Sequence, residues 1–324
     1  MKYDVDHLLQ RQFAASEHYR KVFTDLENVR TRTIDFGTFH YVLQYNPCRI
    51  GSATADTKKK VTPDNCFLCE AHRFPGQIAL EYDEQYNILV NPYPIFKKHF
   101  TIVDKSHVPQ EIIGEESKMV QMAEDLPGFT VFYNSRNSGA SAPFHRHFQA
   151  CETTELPIYQ QWETFKNGGK VFSLTNYDDN GFWMVYDDTR FFYMIHIDSR
   201  KNATTYLAKI LGHLKYELGT ESPEANVGVA VEDGMYKIVI FPRTKHRPDE
   251  YFATDDNHFT ISPGFADMAG IIPCAVESDF NRLDKKRIKS IFNQVTLDPN
   301  YLPKLDPLKT AMSFDKHGKL ITHP

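Results

Sequence analysis

The sequence predicts an α+β protein made of two similar halves, and three observations carry that reading. First, short runs rich in β-branched and aromatic residues, at 86–96, 99–103, 128–134, 182–186, 191–197 and 235–241, alternate with longer amphipathic stretches at 111–124 and 203–217. Second, laying Asn226 on Asn87 without a gap also superposes Val229 on Val90, Lys237 on Lys98, His246 on His107 and Pro248 on Pro109, an offset of 139 residues. Identities in matching strand and post-strand places point to an internal duplication. Third, 324 residues with 41% hydrophobic content suffice for two ordinary cores. The expected division is an N-terminal helix at 1–30, one half at 31–165, a second at 166–292 and a tail at 293–324.

Charge narrows the function. A net charge of -5 and a pI near 6.3 give no global field for a polyanion, which argues against nucleic acid but leaves small nucleotides open, since a local cluster serves them. No run of 18 apolar residues marks a membrane span, and the first residues lack the apolar stretch of a signal peptide, so a cytoplasmic protein is expected. Five cysteines are an odd set that argues against a disulfide framework and leaves room for a metal. Oligomeric state is not legible.

In chain order, residues 4–28 read as one amphipathic helix, with Leu8, Leu9, Phe13, Val22, Phe23 and Leu26 at helical spacing. A strand at 39–45 runs into Asn46-Pro47-Cys48-Arg49-Ile50, and the polar stretch 51–64, with Lys58, Lys59 and Lys60, reads as a mobile loop. Cys66-Phe67-Leu68-Cys69 is then a redox pair or half of a tetrahedral zinc site, for which His72, His99, His107 and His145 are candidate partners. The strands at 86–96 and 99–103 flank a proline-rich turn. At the 139-residue offset the counterpart of His147 is Lys286, so one active site per chain is expected. Arg243, Lys245, His246 and Arg247 form a basic cluster suited to phosphates. A helix is expected at 280–292, and the end of the chain, with Pro299, Pro303, Pro307 and Pro324, reads as a tail wrapping the surface.

The chemistry concentrates at 133–149. Ser138-Gly139-Ala140-Ser141 is a small-residue loop whose amides and hydroxyls can approach phosphate oxygens, and 144–150 alternates in the manner of a strand with His145, His147 and Gln149 on one face. A neutral imidazole can attack phosphorus, and an amide can donate to the developing oxyanion.

With Asn134-Ser135 upstream, this His-x-His-x-Gln motif resembles the transferase branch of the histidine-triad superfamily: galactose-1-phosphate uridylyltransferases, diadenosine tetraphosphate phosphorylases and GDP-L-galactose phosphorylases. The resemblance implies two HIT-like lobes, each an antiparallel sheet with helices packed on it. It implies His147 as nucleophile and Gln149 as oxyanion donor, with transfer favoured over hydrolysis because hydrolases carry a histidine at that place. Structural zinc is implied on Cys66, Cys69, His107 and His145. Nucleotide or phosphate contacts are implied for Arg49, Asn91, Asn134, Ser138, Gly139, Ala140, Ser141 and Arg243, with Pro92 and Phe96 beside the base or ribose. The implied activity cleaves a nucleotide sugar or dinucleoside polyphosphate and passes the nucleoside monophosphate to phosphate or a sugar phosphate. The rival readings are a nucleotide-binding regulatory protein without turnover and a nucleotide hydrolase.

Overall fold

The computed structural model describes residues 2–37, 39–56, 61–168, 170–177 and 180–298, with the short strand pairs 313–314 and 320–321. Lys58–60 and most of the tail, both named above, lie outside the described residues. In chain order the elements are α1 (Val5–Ala15), α2 (Glu17–Glu27), β1 (Arg30–Asp35), β2 (His40–Tyr45), α3 (Ile50–Ala53), β3 (Ala79–Glu81), β4 (Tyr86–Val90) and β5 (His99–Asp104). Then follow α4 (Glu116–Asp125), β6 (Phe129–Asn134), β7 (His147–Glu152), α5 (Pro157–Gln160), α6 (Trp162–Gly168), β8 (Lys170–Tyr177), β9 (Asn180–Tyr186), β10 (Phe191–Ile197) and α7 (Arg200–Leu218). Last come β11 (Ala225–Glu232), β12 (Met235–Pro242), α8 (Phe265–Met268), β13 (Ile271–Cys274), α9 (Glu277–Arg282) and α10 (Lys285–Val295).

Ten strands form one antiparallel sheet in the order β3-β4-β5-β7-β6-β11-β12-β10-β9-β8. The chain is thus α+β with an antiparallel sheet, and the two half-sheets are fused through β6 and β11, from Asn134 opposite Asn226 to Thr130 opposite Ala230. Read inward from either edge, both halves have the same connectivity, with α4 and α7 occupying the same place in each. The duplication is therefore real in topology, but its register is not the 139-residue offset. That offset lays β11 on β4, whereas the topological counterpart of β4 is β9.

Strand alternation sorts the residues onto two faces. On one face Phe100, Ile102, Val131, Tyr133, Phe148 and Val229 are fully buried with residues of α1, α2, α4 and α7. On the other, Phe132, Trp183, Val239 and Phe241 pack with a second, three-stranded sheet, β1-β2-β13, and with α5, α6, α8, α9 and α10. In that small sheet β13 runs parallel to β2, bringing the segment after β12 back to the first half.

Local physics corrects several boundaries. The single helix expected at 4–28 is two, because Ser16 is extended (φ -144°, ψ 123°) between α1 and α2. The helix expected from 111 starts at Glu116, since Gly114 lies at φ 91°. The helix expected at 280–292 is divided between α9 and α10, where Asp284 caps the second by accepting from the Arg287 amide. β7 begins only at His147, so His145 sits in the turn before it and does not share a face with His147 and Gln149.

Candidate active site

A pocket of about 510 Å³ opens on the first half of the sheet. His147 and Gln149 from β7 and Thr101 from β5 contribute to its lining, joined by Arg49, Asn91, Asn134 and the loop Gly139-Ala140-Ser141-Ala142. Residues from far along the chain complete the lining, among them His246, Arg247, Gly264, Phe265 and Asp267.

His147 is 5% exposed, and burial pushes its pKa down to about 4. Its Nδ1 lies 2.8 Å from the His145 carbonyl oxygen, which can only accept, so Nδ1 carries the proton and Nε2 keeps its lone pair. The strand around it is fixed by Gln110, a fully buried residue that the sequence did not single out. Gln110 Oε1 accepts from the His147 amide at 2.8 Å, and its Nε2 donates to the carbonyls of Asn134 (3.0 Å) and His147 (2.9 Å).

Gln149 is oriented by His99. The Ile95 amide donates to His99 Nδ1 at 3.1 Å, so the proton is on Nε2, which donates to Gln149 Oε1 at 2.9 Å. With its oxygen engaged, Gln149 has its NH2 group left to offer a ligand. His99 is fully buried and its pKa is pushed down to about 3 by burial and by Arg49, which keeps it a neutral donor. Among the sequence candidates for metal binding, His99 therefore has a different role. Only the register Thr101 opposite Gln149, invisible in the sequence, brings the two together.

The small-residue loop is anchored to the second half. Asn137 N and Nδ2 and Ser138 Oγ donate to the Glu224 carboxylate at 3.1, 2.9 and 2.8 Å, and Ser135 Oγ donates to the Pro223 carbonyl at 2.7 Å. Gly139 is at φ 92°, and a Cβ there would lie 2.4 Å from the Pro263 carbonyl oxygen, so glycine is required by both torsion and space. Asn134 Oδ1 accepts from Asn226 Nδ2 and from the Phe265 amide, each at 2.7 Å.

Not every expected residue reaches the pocket in a form that can bind. Ser138 is fully buried, with its hydroxyl on Glu224. Arg243 is also fully buried and not part of the lining: its guanidinium donates to Asn226 Oδ1 (2.6 Å) and to the carbonyls of Pro263 (2.8 Å), Val295 (2.9 Å) and Lys245 (3.0 Å). It braces the pocket wall from behind. Phe96 is likewise buried, edge-on to His99, while Asn91 and Pro92 line the pocket. Asn91 itself shapes the turn, accepting from the Tyr93 amide at 2.9 Å and donating to Thr101 Oγ1 at 3.2 Å. Arg49 lines the pocket with two nitrogens on the Tyr93 carbonyl (2.6 Å) and Ser52 Oγ (2.8 Å), and its buried Nε has no partner. Asp267 went unnoticed in the sequence; burial raises its carboxyl to about 7 despite Arg243 and Arg49 nearby.

Next to the start of β7, Cys66, Cys69, His107 and His145 bring four donor atoms within 4.8 Å of one another, a set that can hold a metal ion. Cys66 Sγ is 3.2 Å from His145 Nδ1 and Cys69 Sγ is 3.3 Å from His107 Nδ1. A tetrahedron with ordinary zinc bond lengths has donors roughly 3.3–3.8 Å apart, so the group is close to the required size. His145 Nε2 donates to the Asp104 carbonyl at 2.8 Å, which leaves Nδ1 with its lone pair directed at the thiols.

Residues 8–152 match a protein-family model described as a domain of unknown function (DUF4922). A comparison with curated proteins finds no match. Among solved structures, the yeast Ap4A phosphorylase Apa2 in complex with AMP aligns over 91% of this chain and 98% of its own, at TM-score 0.59 and 14% identity. The same enzyme in complex with Ap4A aligns over 86% and 97%, at TM-score 0.55 and 15% identity. The chain thus shares its fold with the yeast Ap4A phosphorylase. Among the described residues no helix is long and apolar enough to cross a membrane.

Proposed function

We propose that this protein is a nucleotidyltransferase of the phosphorylase kind, which cleaves a dinucleoside polyphosphate or nucleotide sugar through a nucleotidyl-His147 intermediate and passes the nucleoside monophosphate to phosphate or a sugar phosphate. One observation carries the reading: His147 is held as the tautomer whose lone pair is on Nε2, in the wall of a pocket it shares with Gln149. That the fold is shared with a phosphorylase whose structures contain AMP or Ap4A supports the same class of substrate.

In the first step Nε2 bonds to the α-phosphorus as the bridging P–O bond breaks, and the electron pair leaves on the departing phosphate. The ring becomes cationic, and its Nδ1–H on the His145 carbonyl stabilises that charge. Gln149 donates its NH2 to a non-bridging oxygen, and the amides of Ala140 and Ser141 and Arg49 Nε serve the remaining phosphates. In the second step an oxygen of the acceptor phosphate attacks phosphorus and the imidazole leaves neutral, so no proton need move on His147. Zinc on Cys66, Cys69, His107 and His145 would have a structural role, fixing the turn that leads into His147.

The test is intact-mass measurement after incubation with a dinucleoside polyphosphate or nucleotide sugar in the absence of acceptor. A single acid-labile nucleoside monophosphate adduct, absent from His147→Ala, is expected. Full adduct and turnover in that variant would remove the mechanism. Nucleoside monophosphate released at the same rate with and without phosphate would identify a hydrolase instead.

A further inference from the structure

The pocket wall contributed by the second half holds a side chain that none of the chemistry above uses. His246 lines the pocket, and its Nδ1 accepts from the backbone amide of Gly139 at 3.4 Å. The Gly139 amide can only donate, so Nδ1 is its acceptor and the ring proton is on Nε2; the Asn137 backbone also borders the ring. Nε2 is buried and has no hydrogen-bond partner. A buried N–H without an acceptor is costly, and such a group in a pocket wall is a place where a ligand acceptor belongs. Two more unpartnered buried donors, Arg49 Nε and Arg73 Nε, belong to residues lining the same pocket, so the wall has an excess of donors suited to an anion.

We infer that His246 binds the phosphate that leaves in the first step and the one that enters in the second, its Nε2–H donating to a phosphate oxygen while its Nδ1 holds the Gly139 loop. The inference rests on the nucleotidyl-histidine reading above. The two phosphates share a subsite because each lies in line with the His147–phosphorus bond, one as that bond forms and the other as it breaks. His246 takes no proton in either step. Its neighbours hold it in place: Arg247 donates to Ser262 Oγ at 3.0 Å and to the Ala55 carbonyl at 2.7 Å. The second half of the duplicated fold thus supplies the recognition of the exchanged phosphate for the active site of the first.

Two isosteres separate this from a purely structural role. His246→Asn places an oxygen where Nδ1 was and keeps the loop contact, but has nothing at the Nε2 position; His246→Gln reaches the Nε2 position with a donor. The protein and both variants are loaded with nucleotide at His147, freed of substrate, and discharged with increasing inorganic phosphate. Expected is a half-saturating phosphate concentration raised roughly 10- to 100-fold in His246→Asn, the worth of one hydrogen bond to a charged group, with substantial recovery in His246→Gln and unchanged slow discharge by water. Wild-type behaviour of His246→Asn, or a greater defect in His246→Gln, overturns the inference and leaves the nucleotidyl-histidine reading standing. If the wild-type protein forms no adduct, that reading fails on its own. Calorimetric titration with inorganic phosphate then decides the role of His246: equal affinity in wild type and His246→Asn overturns it, and weaker binding by His246→Asn with recovery in His246→Gln upholds it.

Discussion

His99 donates a hydrogen bond to Gln149 across the β5–β7 pair, 2.9 Å from Nε2 to Oε1, and so decides which end of the Gln149 amide faces the pocket. Without His99 the amide is free to turn, and a carbonyl oxygen directed at a phosphate would repel it. The expected result for His99→Ala is a loss of roughly 10- to 100-fold in kcat for nucleotidyl transfer with KM changed little, as for other partners that orient a reacting group. Steady-state kinetics gives the split. A rise in KM at constant kcat would show that His99 acts only through ground-state binding.

Gly139 offers a sharper steric test. Gly139→Ala combines an unfavourable left-handed backbone, a cost of about 1–3 kcal/mol, with a methyl group 2.4 Å from the Pro263 carbonyl, so the loop must move away from the Pro263-Gly264 backbone. A lowered Tm together with weaker binding of the nucleotide proposed above is expected, by thermal denaturation and calorimetry. An unchanged Tm would mean that the loop adapts freely.

About one zinc per chain is expected in protein purified without chelator, by elemental analysis. Cys66→Ser should abolish it, because the cluster has only four donors, and Tm should fall because the turn before His147 is tied through His145. Undiminished zinc in His107→Ala would move the metal elsewhere.

Acid should destabilise the fold before the carboxylates are neutralised. His99, His147 and His246 are held at about 3, 4 and 4 against the usual 6.5, so between roughly pH 6.5 and 4 the unfolded chain binds more protons at these sites and stability falls as pH falls. Asp267 opposes them, since its carboxyl is raised to about 7 from 3.8 and the folded state keeps that proton over most of the same window. Urea-unfolding midpoints should therefore drop below pH 6.5, and Asp267→Asn should make the drop steeper. A flat profile down to pH 4 would contradict the burial assigned to these imidazoles.

The parts of the site legible in the sequence were those encoded by neighbours along the chain. His147 and Gln149 share a face because they are two residues apart in a strand, and Gly139 announces a loop where backbone must approach something closely. What depended on strand pairing was hidden: His99 meets Gln149, and Gln110 meets Asn134 and His147, only through contacts set by the sheet. Burial was hidden too. Arg243 reads as a phosphate ligand beside Lys245 and His246, yet its guanidinium is spent on five carbonyl groups and Asn226 Oδ1. The alternation of 144–150 puts His145 on the face of His147 and Gln149, whereas the turn before β7 directs it to the thiols.

The fused sheet also has a consequence for how the molecule comes apart. β6 and β11 are central, and each is hydrogen-bonded on both edges, β6 to β7 and β11, and β11 to β6 and β12. Neither half can melt without exposing the other's innermost strand to water, so the duplicated halves should behave as a single foldon with one calorimetric transition. The backbone amides of Phe132 and Gly228, opposite one another at the middle of that junction, should be among the slowest in the chain to exchange with deuterated solvent.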